Sequence, residues 1–298
     1  MKIEKRILNR NEKTVLTAYI PDEQCGMKKR PFIIILPGGG FLDCSPNEGE
    51  PVAMYYIRKG FNAAVLTYST RVSNPGKSMY PQPLTELAES IVWIRRNAEE
   101  FITDPERIAV LGFSAGGHVA ALYGNTYESA VFETIGTVSE RRPDALVLGS
   151  PVLSESFYKN DLLDQVDLQA VTGGNEQVQK FREFMNNVCD AFFGKKNPEK
   201  EEISRLMPMN TVNKHTPPTF LWQSFQDGLL AASDPLAYAQ RLSQNHTICE
   251  LHMFDEGTHG ISLADITTAK KPSNIDTHTA AWADLSAEWL ERTFEKRN

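Results

Sequence analysis

The sequence predicts an α/β protein with a mostly parallel sheet covered by helices on both faces. Three observations predict it. From residue 32 onward, strand-like apolar runs alternate with amphipathic helical stretches. The run Phe32-Ile33-Ile34-Ile35-Leu36 is apolar throughout, as expected of a strand buried on both sides. And Gly112-Phe113-Ser114-Ala115-Gly116 stands where another such run gives way to small, helix-forming residues.

Residues 2–8 and 14–20 read as strands separated by the polar turn Asn9-Arg10-Asn11-Glu12-Lys13. The buried run at 32–36 ends at Pro37-Gly38-Gly39-Gly40. Residues 51–59 form a helix with Pro51 in its first turn, and Gly60 stops it. A fourth strand follows at 62–68. Leu84, Leu87, Ile91, Ile94, Ala98 and Phe101 recur at spacings of three and four, which predicts an amphipathic helix packed on the sheet. Asp104-Pro105-Glu106 then turns the chain into a strand at 108–111. Further strands are expected at 145–148, 219–222 and 248–254, which makes an eight-stranded sheet. Helices are expected at 235–243 and at 280–294, where Trp282, Leu285 and Trp289 share a face. Residues 154–215 break the rhythm. They are polar and acid-rich (Asp161, Asp164, Asp167, Glu176, Glu183), with a turn at Gly194-Lys195-Lys196-Asn197-Pro198. This stretch is read as an insertion after the sixth strand, a candidate cap within one domain spanning 1–298.

Composition narrows the partners. A net charge of −7 with no long basic block argues against nucleic acid, and Lys28-Lys29-Arg30 reads as a solvated loop. The first residues lack the apolar core of a secretory signal, and the run at 32–36 is too short to span a bilayer, so no membrane is expected. Cys25, Cys44, Cys189 and Cys249 are scattered, with no C-x-x-C pair. They read as free thiols in the cytoplasm, with neither a disulfide frame nor a metal site.

The pentapeptide around Ser114 forces the serine into a tight strand-to-helix bend that lifts its Oγ clear of the backbone. The same bend leaves the Ala115 N–H unpaired at a helix N-terminus, where negative charge is stabilised. A serine hydroxyl needs a base, and the base needs an acid to hold its tautomer. His259 is the candidate base, because Glu256-Gly257-Thr258-His259-Gly260 follows the last strand, on the side where an open sheet gathers its reactive groups. His252 lies within that strand and His246 precedes it, while His215 and His278 have polar, surface-like surroundings. His118 lies one helical turn past Ser114, where either the pocket or the core can receive it. Asp227, after the strand at 219–222, gives the chain order serine, acid, histidine. Asp234 and Asp255 remain rivals, although Ser233-Asp234-Pro235 also reads as a helix start. Gly39 and Gly40, with Ala115, are the expected oxyanion donors, since residues without side chains let backbone amides approach a substrate. A phosphate loop is not indicated, there being neither G-K-[ST] nor G-x-G-x-x-G in this region.

These pieces resemble the α/β-hydrolase fold, and within it the carbohydrate acetyl-esterase and xylan-esterase-like branch related to hormone-sensitive-lipase-type esterases. The resemblance extends from about residue 32 to 292 and is weakest over 154–215. It is carried by Pro37-Gly38-Gly39-Gly40-Phe41, Tyr80-Pro81-Gln82-Pro83, residues 107–121, Pro217-Pro218-Thr219-Phe220-Leu221-Trp222 and Gly257-Thr258-His259-Gly260. It implies removal of short acyl groups, often acetyl, from sugars without a cofactor, with Ser114, Asp227 and His259 as nucleophile, acid and base. Two departures stand out: Pro37 replaces the histidine common before the three glycines, and the stretch after Asp227 lacks the usual Val-Pro.

The function expected from the sequence is therefore a cytoplasmic serine esterase acting on a small polar ester such as an acetylated oligosaccharide. Phe41 and His118 are its candidate substrate contacts. A serine peptidase or amidase on the same fold, and a catalytically silent binding protein, are the alternatives. Oligomeric state is left open.

Overall fold

The computed structural model describes residues 1–22, 29–158 and 175–296. Cys25, Lys28, Asp161, Asp164 and Asp167 lie outside them. Eight strands make one sheet: β1 (Lys2–Leu8), β2 (Asn11–Ile20), β3 (Arg30–Leu36), β4 (Asn62–Thr67), β5 (Thr103–Phe113), β6 (Ala145–Gly149), β7 (Thr219–Ser224) and β8 (Cys249–Phe254). Their spatial order is β1-β2-β4-β3-β5-β6-β7-β8. The β1–β2 and β2–β4 pairs are antiparallel, and every later pair is parallel. The chain steps from β3 to β4 on one side and then to β5 on the other. The sequence direction thus reverses between β3 and β5, and a crevice opens at their carboxyl ends.

The longer helices are α1 (Glu50–Arg58), α2 (Gln82–Arg96), α3 (Ser114–Thr126), α4 (Asn175–Phe193), α5 (Ser233–Gln244) and α6 (Ala281–Glu295). Two buried layers explain why β3 is apolar at every position. Phe32, Ile34 and Leu36 face a core shared with Leu87 and Ile91 of α2, Val119 of α3 and Tyr238 of α5. Ile33 and Ile35 face a second core built with Tyr56 of α1 and Trp282, Trp289 and Leu290 of α6. The outer strand β1 is mostly exposed and carries Lys2, Lys5 and Arg6, charges that discourage pairing with another chain.

Three expectations change. The helix expected to reach residue 101 stops at Arg96, because the Asn97 side chain donates to the Trp93 carbonyl at 2.7 Å and the chain turns. Ala98 and Phe101 still reach the core, but from that turn. Strand β5 begins at Thr103, not 108: Thr103 pairs with Arg30, and the register shifts before Phe32 meets Ile108. Asp104-Pro105-Glu106 is therefore a bulge within a strand. The stretch between β6 and β7 is not simply polar. Met185, Val188, Cys189 and Phe192 line one face of α4 and join the first core. Their spacing is helical, but the charged outer face sets the average polarity. Among the described residues, no helix is long and apolar enough to cross a membrane.

Candidate active site

Strand β5 delivers its last residue, Phe113, in extended conformation, and Ser114 follows with φ +49° at the first position of α3. The flanking glycines make that bend possible. A Cβ on Gly112 would lie 2.3 Å from the Gly116 carbonyl oxygen, and one on Gly116 would lie 2.2 Å from that of Leu36. Neither contact is survivable, so the pentapeptide is a steric requirement of the turn.

Two other strand ends bring the partners. His259 Nε2 is 2.8 Å from Ser114 Oγ, and His259 Nδ1 is 2.8 and 3.0 Å from the carboxylate oxygens of Asp227. These partners assign the tautomer: Nδ1–H donates to Asp227, and Nε2 accepts from the Ser114 hydroxyl. Asp227 is fixed in turn. Its Oδ1 accepts from the N–H groups of Leu229 and Leu230 at 3.0 and 2.8 Å, while its carbonyl accepts from the His259 N–H at 2.9 Å. The carboxylate is fully buried and the imidazole 17 % exposed. Burial alone would push the His259 imidazole down. The hydrogen bond and charge of Asp227, aided by the Glu48 charge, outweigh it and hold the imidazole above its ordinary range.

The loop after β3 runs beside Ser114. Gly39 and Gly40 adopt φ +131° and +63°, and among the described residues their N–H groups have no backbone acceptor. Ala115 occupies the first turn of α3, where amides lack helical partners. Tyr68 Oη donates to the Pro37 carbonyl at 2.8 Å, which pins the start of the loop although Pro37 offers no side-chain donor.

A cavity of about 680 Å³ opens over Ser114 and His259. Its apolar lining includes Phe157, Phe184 and Leu229. Its polar lining includes Ser45, Thr258, Lys270, Lys271 and Asn274, with Lys270 Nζ 3.4 Å from Ser45 Oγ and Asn274 Nδ2 3.4 Å from Thr258 Oγ1. The Phe184 ring comes from α4 and lies close over Gly40, where a Cβ would meet it at 3.1 Å.

The two substrate contacts expected from sequence are placed elsewhere. Phe41 and His118 are fully buried, and neither lines the cavity. Phe41 packs on Phe192 with ring centroids 4.6 Å apart, and His118 packs edge-on against both rings. His118 Nδ1 pairs with the Val152 carbonyl at 3.1 Å, and burial pushes its pKa down to about 3. One helical turn past Ser114 therefore points into the core. The rival acids also have other partners. Asp234 accepts from Ser154 and Ser156 at 2.7 and 2.8 Å, and Asp255 is exposed, 3.9 Å from His278. Of the remaining histidines, His252 pairs with Glu250 at 3.0 Å and His215 lies 3.4 Å from Glu128.

Sequence reasoning missed Glu48 and the cavity walls. Glu48 is 3 % exposed and lines the cavity, with burial raising its carboxyl above the usual range. Before a helix, an acid in Pro46-Asn47-Glu48-Gly49-Glu50-Pro51 looks like any acidic helix start. No local pattern marks it. Among the described residues, no cluster of His, Cys, Asp or Glu is arranged to hold a metal ion.

A family model described as BD-FAE matches residues 16–242. The chain is 26% identical over 251 residues to endo-1,4-beta-xylanase B of Butyrivibrio fibrisolvens, covering 84% of this chain and 35% of that protein. It is 23% identical over 260 residues to an acetylxylan esterase of Xylanibacter ruminicola, covering 86% of this chain and 45% of that one. The chain thus spans less than half the length of these two relatives. Among solved structures, the carboxylesterase Cest-2923 from Lactobacillus plantarum superposes with a TM-score of 0.77 at 27% identity over 98% of both chains.

Proposed function

The chain belongs to the BD-FAE family of α/β-hydrolases, and from that premise we propose that it is a serine carboxylic-ester hydrolase acting on short acyl esters of a sugar-like alcohol. The observation that carries this reading is the relay from Ser114 through His259 to Asp227, with its hydrogen bonds at 2.8 Å. Ser114 Oγ attacks the ester carbonyl while His259 Nε2 takes its proton, and Asp227 steadies the imidazolium. The N–H groups of Gly39, Gly40 and Ala115 receive the oxyanion. Collapse expels the alcohol, which regains a proton from His259. A water molecule, deprotonated by the same imidazole, then releases the acid and restores Ser114.

The mixed lining of the cavity supports the choice of substrate. Phe157, Phe184 and Leu229 make an apolar recess for a short acyl chain. In the same cavity, Thr258, Lys270, Lys271 and Asn274 offer hydrogen-bonding groups to a hydroxyl-rich leaving group. The xylanase and acetylxylan esterase names of two relatives point the same way. In this reading α4, which carries Phe184, acts as a cap that shapes the acyl side. The free thiols of Cys44, Cys189 and Cys249 support a reducing, cytoplasmic setting.

An organophosphonate with a reporter group tests the mechanism. It should label the wild type at one site per chain and leave Ser114→Ala unlabelled. Equal turnover of p-nitrophenyl acetate by the two proteins would remove the mechanism. Acetylated xylo-oligosaccharides should be deacetylated faster than p-nitrophenyl esters of long acids; the reverse preference would remove the substrate class.

A further inference from the structure

One buried carboxylate at the site has no part in the relay. Glu48 ends the turn Pro46–Glu48 ahead of α1, and its Oε2 accepts the Gly38 N–H at 2.8 Å. A Cβ on Gly38 would lie 2.9 Å from that oxygen and also 2.9 Å from Ser114 Cβ, so the carboxylate abuts the nucleophile's turn. A Cβ on Gly260 would lie 3.9 Å from Glu48 Oε1. One side chain thus bonds to the turn after β3 and lies near the turn after β8, with Gly38 between it and Ser114. Glu48 lines the main cavity and, with Ser114 and His259, a small void of about 10 Å³ beside it.

Its contact with Gly38 bears on the oxyanion donors. The Gly38 carbonyl accepts from the Ser45 N–H at 2.9 Å, while the Gly38 N–H is held by Glu48. In a trans peptide the carbonyl and the following N–H point in opposite directions. Fixing the Gly38 carbonyl toward Ser45 therefore turns the Gly39 N–H the other way. With both of its peptide planes tied, Gly38 cannot rotate to spoil that aim. Pro37 has neither an N–H nor a polar side chain, but its carbonyl, in the same peptide plane as the Gly38 N–H, accepts from Tyr68 Oη at 2.8 Å, so Glu48 and Tyr68 hold the two edges of that plane.

We infer that Glu48 is a positioning residue, clamping Gly38 so that the Gly39 amide stays aimed at the oxyanion and placing a second negative charge beside His259, with which it lines the small void. The inference rests on the serine-esterase reading. Charged groups around the imidazole come from three elements: Asp227 after β7, Glu48 before α1, and Lys270 and Lys271 across the cavity. Burial raises the Glu48 carboxyl, while the Gly38 N–H, His259 and Lys270 favour its ionised form. Glu48 in turn adds to Asp227 in holding the imidazole up.

Two near-isosteric variants separate the clamp from the charge. Glu48→Gln keeps an oxygen that accepts from Gly38 and removes the charge. Glu48→Asp keeps the charge but withdraws it from Gly38 by one methylene. Both are assayed with p-nitrophenyl acetate from pH 4 to 9, and rates are referred to sites titrated by the phosphonate, so that misfolded protein does not count. Glu48→Gln should move the acidic limb of kcat/KM to lower pH, since the neutral imidazole persists further down, with kcat reduced less than in the aspartate variant. Glu48→Asp should leave the limb in place and lower kcat by about 10²-fold, with KM changed by less than about threefold. An unmoved limb in Glu48→Gln, or a kcat within about threefold of wild type in Glu48→Asp, overturns the inference. A wild type that neither turns over ester nor titrates would instead remove the esterase reading on which it stands.

Discussion

The two sides of the cavity are built differently. Ser114, Asp227 and His259 stand on short turns that leave β5, β7 and β8, and the backbone conformation there is enforced by close contacts and by φ values of +49° to +131° at Ser114, Gly257 and the oxyanion loop. The apolar lining draws Phe184 from α4, an amphipathic helix in the long connection between β6 and β7. That helix is held by side-chain packing and by ties from the loop before α2. Met79 N–H donates to the Ala191 carbonyl at 2.9 Å, Ser78 Oγ to that of Phe192 at 2.7 Å, and Arg71 to Asp190 at 2.7 Å. In the proposed mechanism the rim holds the reacting groups, whereas Phe184 and the apolar lining limit the acyl chain. Substitutions on the rim should therefore cost rate with little loss of stability, whereas substitutions in α4 should cost stability where they reach the core, as at Phe192, and shift selectivity where they line the cavity, as at Phe184.

The sharpest way to break that division is at Asp227. Asp227→Asn keeps the side-chain volume but cannot hold the Nδ1–H tautomer, and it should lower kcat by about 10⁴-fold while the melting temperature stays near that of the wild type. A large stability loss without a rate loss would make the rim a structural feature. Phe192 is the matching probe on the other side, since it joins α4 to Phe41 and His118. Phe192→Ala should cost about 3–5 kcal/mol in urea unfolding, with rate per titrated site largely kept.

His118 sharpens the comparison further, because it lies one turn from the nucleophile yet belongs to the packed side. Its folded-state pKa of about 3 lies far below that of an unfolded histidine. Between these two values the unfolded chain binds a proton that the folded one refuses. Stability is therefore fully present above about pH 6.5 and falls with acidification by about 1.4 kcal/mol per unit, or about 2 kcal/mol by pH 5. His118→Leu should flatten this part of the stability–pH curve; an unchanged slope would place the acid sensitivity elsewhere. The smallest effect is expected at Phe184. Phe184→Ala should raise kcat/KM for butyrate relative to acetate by about tenfold, the scale of one or two methylenes in an apolar pocket. Parallel changes for both esters would remove Phe184 from the acyl wall.

The two regions also differ in how they could be read. Ser114 and His259 were visible because their turns need glycine at fixed offsets, and steric necessity leaves a mark in sequence. Asp227 was expected from chain order, and the structure places it against His259 while Asp234 and Asp255 have other partners. Phe41 was misplaced because residues beside a reactive loop look alike whether they face the cavity or the core. The apolar stripe of α4 was present in the sequence, but charged outward positions lowered its average and hid it.

By itself, then, the sequence determined the alternation of strands and helices, the two-sided burial of β3 and the sharp bend at Ser114. All of these follow from local sterics and from the periodicity of apolar residues. Tertiary structure alone decided that Glu48 meets Gly38, that Phe184 covers Gly40, and that His118 turns inward. Those contacts join segments far apart along the chain, and no local preference encodes which distant surface a side chain will find once the sheet has brought the two together.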